Sequence, residues 1–251
     1  MPLFSVSLLV AALCIFPGIG LFQETSSSAA EAPFQVIASS DLSFDFTTLP
    51  KEGRDQLTDL GFALERVTGD ESLLRLSAEN GRLNVATSGP ALSVLVKKDL
   101  HHAQPGILEL VWGIERYPRG ADWSRGKRQE AMMVVLFFGD PLPGGSFYLP
   151  DMPLFLGMFL GEHEPPLKPF VSDNYPDTGR YVCLGNPPPG QTITTRLDLR
   201  DAFRDWFGNR DIPPLTGIAI EVDTRDLPAE DAWSSAFIYQ ISLKKAERQD
   251  N

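Results

Sequence analysis

The sequence contains few of the residues that build metal centres and disulfides, with two cysteines and three histidines in 251 residues. Cys14 lies in an apolar N-terminal run, which leaves Cys183 without a partner for an internal disulfide. Cys183 stands in an apolar run of its own and is predicted to be a buried, small hydrophobic side chain. His101 and His102 are adjacent, so on a strand they point to opposite faces, and no further histidine or cysteine pair supports them. The sequence therefore predicts neither a zinc centre nor a disulfide framework.

The motifs of nucleophilic hydrolases are also missing. The chain has no Gly-x-Ser-x-Gly elbow, and no spacing singles out Cys183 and His163 as a nucleophile and its base. Hydrolysis through a serine or a cysteine is not predicted.

Positive charge is scarce as well. The chain carries 22 Lys and Arg against 33 Asp and Glu, a formal net charge of −11. Binding to nucleic acid or to an anionic membrane surface requires a footprint of basic side chains, so neither partner is predicted.

The N-terminus carries the one long apolar run, over residues 3–22. Pro17, Gly18 and Gly20 late in this run, followed by small residues at 28–30, are typical of a signal peptide, which we predict over residues 1–30. The segment before the apolar run has no Lys or Arg, so an uncleaved N-terminal anchor is the alternative. We expect an exported protein, periplasmic or extracellular, with no stable membrane span after processing.

Hydrophobic periodicity after residue 33 predicts strands far more often than helices. Residues 106–114 alternate between two faces, and the unbroken apolar run 131–138 is typical of a central strand that is covered on both faces. Asn80-Gly81 predicts a tight hairpin. One short amphipathic helix is predicted over 199–207. About a dozen short strands without alternating helices favour an all-β fold, an antiparallel β-sandwich or jelly roll, as a single domain over 34–246.

Two segments of this domain show no clear periodicity. Residues 57–66 are predicted to be an irregular connection. Residues 139–190 are rich in proline, which cannot donate a hydrogen bond within a sheet and stays near sheet edges. Apart from a strand over 155–160 and the strand-like run around Cys183, we predict long loops over a sheet here.

Three stretches resemble a bacterial family known as domain of unknown function 3047. They are the Trp-containing strand 110–114 with Pro118 after it, the strand 129–138, and the acidic-aromatic helix 197–208 with the strand 216–224. The resemblance implies a secreted β-sandwich of jelly-roll type and assigns no catalytic residues. The chain departs from the family at its acidic pair, which is Gln-Glu at positions 129 and 130 here.

Three carboxylates in or beside predicted strands are candidate ligand-binding residues. Glu221 and Asp223 lie two positions apart in one strand and therefore on one face, and Glu130 precedes the apolar strand. Paired carboxylates are the groups with which glycosidases work. A half-exposed strand with outward-facing acids explains the same pattern.

Calcium is the one cofactor that the sequence pattern suggests. Asp223, Asp226 and Asp231 fall in one loop and offer the oxygen ligands that Ca²⁺ takes, but their spacing matches no EF-hand. Capping of turns is the alternative role for these aspartates.

Aromatic residues in polar loops are the remaining candidates for ligand binding. Trp112 and Trp206 have the periodicity of core residues. Tyr117, Trp123 and Trp233 stand among polar residues and are predicted to present surface rings, which suit the flat faces of sugars.

These features favour an exported, non-catalytic binding protein of the cell envelope whose ligand is a carbohydrate or another envelope component. The alternatives are a hydrolase or lyase that acts on a polysaccharide through Glu130, Glu221 and Asp223, and an envelope assembly protein that binds a partner through a sheet edge.

Overall fold

The computed structural model describes most of the predicted domain. The described ranges are 41–49, 54–68, 70–102, 105–144 and 148–245. The predicted signal segment 1–30 and the first residues of the predicted domain, 34–40, lie outside the described residues.

Strands dominate the described chain. They are β1 Leu42–Asp45, β2 Ala63–Thr68, β3 Leu74–Ala78, β4 Leu83–Ser88, β5 Leu92–Lys97, β6 Pro105–Arg116, β7 Glu130–Leu142, β8 Met152–Phe159, β9 Pro169–Val171, β10 Gly179–Cys183, β11 Thr192–Asp198, β12 Leu215–Asp223 and β13 Trp233–Lys245. Two α-helices, α1 Arg54–Asp59 and α2 Leu199–Trp206, and two 3-10 turns, Glu71–Leu73 and Trp123–Arg125, complete the described elements. Within these ranges, no helix is both long and apolar enough to cross a membrane.

The strands form two sheets. In sheet 1 the order is β11-β6-β13-β4-β3, and β1 also pairs with β13. In sheet 2 the order is β2-β5-β12-β7-β8-β10-β9. Neighbouring strands in the described sheets are antiparallel except for β8 and β10, which are parallel. The predicted all-β sandwich is confirmed, with one parallel pair in it.

One apolar core fills the space between the sheets. Leu83 and Val85 of sheet 1 belong to the same buried cluster as Leu156 and Ile220 of sheet 2. Helix α2 adds Phe203, whose ring meets the edge of Phe138 at a centroid distance of 4.8 Å. The predicted amphipathic helix is confirmed, and it ends one residue earlier than expected.

A second apolar cluster lies on the other face of sheet 2. Met133, Val135 and Phe137 of β7 point into it, while the intervening side chains point into the main core. Trp123 and Tyr175, which lie outside the strands, close over these residues. The prediction that 131–138 is a central strand covered on both faces is confirmed.

The local turn prediction also holds. Strands β3 and β4 pair as a hairpin. Asn80 and Gly81 between them have φ of 60° and 65°, the left-handed conformations that a two-residue turn of this kind requires.

The two segments without clear periodicity contain more regular structure than the sequence predicts. Residues 57–66 contribute to α1 and β2, and residues 139–190 contain β9 in addition to β8 and β10. Pro153 is accommodated inside β8 because β10 pairs only with the part of β8 from Phe155 onward. Cys183 is buried in β10, as predicted.

Candidate functional site

The fold brings together the three carboxylates that the sequence singles out. Glu130 begins β7, and Glu221 and Asp223 lie near the end of β12, the neighbouring strand in sheet 2. Glu130 pairs with Asp223 across the two strands. The three side chains, here called the acidic cluster, line one cavity on the outer face of sheet 2 and are only 1–3% exposed. The alternative of a half-exposed strand with outward-facing acids is therefore wrong for this face.

Each carboxylate of the acidic cluster has a different environment. The side chains of Glu130 and Glu221 are hydrogen-bonded to each other. Asp223 Oδ1 accepts a hydrogen bond of 3.1 Å from the backbone N–H of Arg225, and its Oδ2 lies 2.8 Å from Nη2 of Arg225. Glu130 Oε2 is fully buried and has no hydrogen-bond partner among the described residues. Two of the acids thus share a hydrogen bond, and the third has a guanidinium partner.

The cavity beside the acidic cluster is small, with a volume of about 20 Å³. That volume suits one water molecule or a monatomic ion. Side chains from several elements form its other walls: Trp123, Arg128, Met133, Ser172, Asp173, Asn174 and Tyr181. Arg128 holds this cover in place, because its Nη1 lies 3.1 Å from an oxygen of Asp173 and donates a 3.0 Å hydrogen bond to the carbonyl of Val171.

Burial dominates the electrostatics of the acidic cluster. It raises the pKa of Glu130 well above the usual range, and the nearby charges of Glu221 and Asp223 raise it further, while Arg225 opposes them. Burial also raises the pKa of Asp223 to about 6 despite the opposing effect of Arg225. A protonated Glu130 can donate a hydrogen bond to Glu221, which relieves the repulsion between two buried carboxylates.

The predicted calcium loop gains no support from the geometry. Asp223 is paired with Arg225, and Asp226 accepts a hydrogen bond of 3.3 Å from Nε2 of Gln129. In the described part of the chain, no group of three or more His, Cys, Asp or Glu side chains has an arrangement that could hold a metal ion. The calcium site, which would also have used Asp231, stays a prediction.

Two of the three predicted surface rings are less exposed to solvent than the sequence predicts. Trp123 is 4% exposed, stacks on Phe159 at a centroid distance of 4.6 Å and donates its indole N–H to the carbonyl of Gln129. The prediction of an exposed ring is wrong for Trp123, because the outer face of β7 is apolar and needs a cover. Tyr117 is half-buried and donates its hydroxyl to the carbonyl of Pro187 at 2.8 Å.

Trp233 is exposed as predicted, with 47% of its surface accessible. It begins β13 and forms one wall of a groove of about 320 Å³ on the outer face of sheet 1. We call this the Trp233 groove. Its other lining residues are Ser72, Leu73, Arg75, Ala86, Thr87, Ser88, Arg116, Ser234 and Ser235.

Strand register explains the layout of the Trp233 groove. Arg75 of β3 pairs with Ala86 of β4, Ala86 pairs with Ser235 of β13, and Ser235 pairs with Arg116 of β6. This row across four strands places two small residues between two arginines. The guanidinium of Arg116 lies 5.6 Å from the centre of the Trp233 ring, within the range of a cation–π interaction. The sequence did not single out either arginine, because their proximity depends on pairing between strands that are distant in the chain.

A second groove lies farther along β13. It is lined by Asp45, Thr47, Val111, Thr192, Tyr239 and Gln240 and has a volume of about 460 Å³. Phe237 lies on β13 between Trp233 and this second groove, and it is fully buried, with the guanidinium of Arg82 3.9 Å from its ring centre.

No family model and no curated protein matches this chain. Among solved structures, a family 29 carbohydrate-binding module from Piromyces equi is 10% identical, with 84% of this chain and 95% of that chain covered and a TM-score of 0.36. The K2 cleaved adhesin domain of Lys-gingipain is 13% identical, with coverage of 82% and 99% and a TM-score of 0.36. A xylanase is 10% identical, with coverage of 84% and 90% and a TM-score of 0.34. These similarities are too low to carry an argument about function, and the family resemblance seen in the sequence stays a prediction.

Proposed function

We propose that this protein is a non-catalytic carbohydrate-binding protein of the cell envelope that binds its ligand in the Trp233 groove. The observation that carries the proposal is the exposed indole of Trp233 at the wall of a groove of about 320 Å³. That volume falls within the range of small-ligand sites. An exposed tryptophan on a rigid strand offers a large contact area at low conformational cost.

The remaining lining of the groove suits a ligand rich in hydroxyl groups. Ser72 and Ser88 are exposed at its rim, and Ser235 stands in its floor. Each serine hydroxyl both donates and accepts hydrogen bonds, as sugar hydroxyls do. An apolar ring with hydroxyl groups around it matches a sugar, which has an apolar face and a polar rim.

The acidic cluster is the basis of the alternative, a polysaccharide hydrolase or lyase. Its three carboxylates are the right groups for glycoside chemistry. Its cavity of about 20 Å³, however, has room for a water molecule and not for a sugar ring. We therefore assign the acidic cluster to the interior of the fold and place the ligand on the opposite sheet.

Affinity electrophoresis through gels that contain single polysaccharides tests the proposal. We expect the protein to be retarded by at least one polysaccharide, and Trp233→Ala to weaken that binding about 30-fold, as loss of an aromatic anchor does at other interfaces. Tyr148→Ala is the matched control, because Tyr148 is 87% exposed and is not part of the groove lining. Equal retardation of wild type and Trp233→Ala would contradict the proposed site, and no retardation in any gel would contradict the proposed function.

Export also belongs to the proposal. The signal peptide predicted over residues 1–30 would deliver the domain to the periplasm or the medium, where envelope polysaccharides are found. N-terminal sequencing of the protein from the producing cell tests this step. An intact N-terminus in a membrane fraction would indicate the anchor instead.

A further inference from the structure

The charge of the Trp233 groove is opposite to that of the chain as a whole. The chain has a formal net charge of −11, yet the groove is lined by two arginines and by no acidic side chain. A basic groove on an acidic protein attracts anions locally while the rest of the surface repels them. The composition of the lining therefore indicates the charge of the ligand.

Arg116 is the arginine best placed to meet an anion. It is exposed, and it makes no ion pair with any described residue. The adjacent acid, Glu115, is instead paired with Arg82 at 2.8 Å. The guanidinium of Arg116 is thus held beside Trp233 with its hydrogen-bond donors available to a ligand.

Arg75 stands at the other side of the same row. It is 3.4 Å from Glu79, but both side chains are largely exposed, and an exposed pair of this kind contributes little free energy. A stronger anionic partner in the groove can replace Glu79. Three strand spacings separate Arg75 from Arg116, roughly 14 Å, and only Ala86 and Ser235 lie between them.

We infer that the ligand is an acidic polysaccharide, in which a sugar carboxylate pairs with Arg116 while a neighbouring sugar face lies against Trp233. Guanidinium and carboxylate form paired, charge-assisted hydrogen bonds that a neutral sugar cannot supply. Arg75 is far enough along the row to meet a second carboxylate of the same chain. This inference rests on the proposed function and specifies the class of its ligand.

Titration calorimetry with three kinds of polysaccharide tests the inference. The probes are polygalacturonate, which carries carboxylates, heparin, which is dominated by sulfates, and a neutral galactan. We expect polygalacturonate to bind most tightly, and Arg116→Gln to weaken its binding about tenfold or more, the effect of losing hydrogen bonds to a charged group. Arg200→Gln on α2 is the control, since that arginine is also exposed and lies outside the groove lining.

The outcomes separate the inference from the proposed function. Binding of the galactan with equal or higher affinity than polygalacturonate, and with loss on Trp233→Ala, overturns the acidic ligand and leaves the proposed function standing. Preference for heparin, or polygalacturonate binding that Arg116→Gln does not weaken, also overturns the assigned carboxylate contact. Failure of all three to bind, together with failure of the gel experiment, overturns both.

Discussion

At the scale of single residues, Glu130 shows the strongest conflict between burial and charge. Its carboxyl group is buried beside Glu221 and Asp223, and one of its oxygens has no hydrogen-bond partner among the described residues. Ionisation at such a site is costly, because a buried charge loses its hydration. The folded protein therefore holds a proton on Glu130 more tightly than the unfolded chain does, and its stability depends on pH.

The first prediction concerns this pH dependence. Because the pKa of Glu130 is raised in the folded state, its contribution to stability is present below the unfolded value of about 4.5 and is lost as the pH rises toward the folded value. Glu130→Gln keeps a hydrogen-bond donor toward Glu221 without an ionisable proton. Between the unfolded and the folded pKa of Glu130, we expect the free energy of unfolding of Glu130→Gln minus that of wild type to increase by about 1.4 kcal/mol for each pH unit.

Urea unfolding of both proteins at pH 5, 6 and 7 measures this difference. Thr194→Ala on β11 is the control, because Thr194 is exposed and has no ionisable group, so the difference between this variant and wild type should not depend on pH. Asp223, with a pKa of about 6, adds a loss of stability to both proteins between about pH 4 and 6. Because its charge also raises the pKa of Glu130, the difference between the two proteins reports on Glu130 together with its interaction with Asp223. A difference between wild type and Glu130→Gln that does not change with pH would show that Glu130 is not protonated in the fold.

At the scale of elements, helix α2 depends on the residue that immediately precedes it. Asp198 is the N-cap, and its Oδ1 accepts hydrogen bonds from the backbone N–H groups of Arg200 and Asp201 at 2.9 and 3.3 Å. An eight-residue helix forms few backbone hydrogen bonds of its own, so its cap and its packing decide its stability. The helix in turn holds Phe203 in the main core.

The second prediction is that Asp198→Ala lowers the free energy of unfolding by about 1 kcal/mol. Asp198→Asn is the matched control, because asparagine is an equally good cap. Chemical denaturation of the three proteins in parallel measures the effect. If alanine and asparagine destabilise the protein equally, the charge of Asp198 matters and the capping hydrogen bonds do not.

The elements that the sequence predicts well are those with a local signal. The unbroken apolar run of β7, the Asn80-Gly81 turn and the apolar face of α2 each fit within a short window of sequence. The missed features depend on distant partners. β9 has only three residues and exists because β10 pairs with it, and the parallel pairing of β8 and β10 leaves no periodic trace in either strand.

The candidate sites also combine features with a local signal and features that depend on distant partners. The pattern of β12 predicts that Glu221 and Asp223 share a face, but their burial depends on a cover built from Trp123, Arg128 and the segment after β9. Likewise, the polar surroundings of Trp233 predict its exposure, while Arg116 reaches it only through the pairing of β6 with β13. Hydrophobic periodicity alone does not predict strand register, and strand register decides which side chains meet at each site.

At the scale of the whole molecule, the two sheets share one core. Leu156 of β8 in sheet 2 is fully buried in the same cluster as Leu83 and Val85 of β4 in sheet 1. If one sheet unfolded alone, the inner face of the other sheet would be exposed to water. That exposure would cost free energy, because apolar burial is the main stabilising contribution to folding. The sheets should therefore unfold together.

The third prediction is that Leu156→Ala, which leaves a cavity beside sheet 2, lowers the stability of sheet 1 as much as that of sheet 2. Loss of a buried leucine costs about 2–5 kcal/mol, and in a single cooperative unit this loss lowers the protection of every strand that exchanges through global unfolding. Hydrogen exchange of β4 in sheet 1 and β5 in sheet 2, read by mass spectrometry, measures both at once. Thr194→Ala on the exposed side of β11 controls for a substitution outside the core. If β5 loses protection while β4 keeps it, the two sheets open separately, and ligand binding on sheet 1 would not stabilise the acidic cluster in sheet 2. If β4 and β5 lose protection equally, the sandwich unfolds as one thermodynamic unit. Ligand binding on sheet 1 would then also stabilise the acidic cluster.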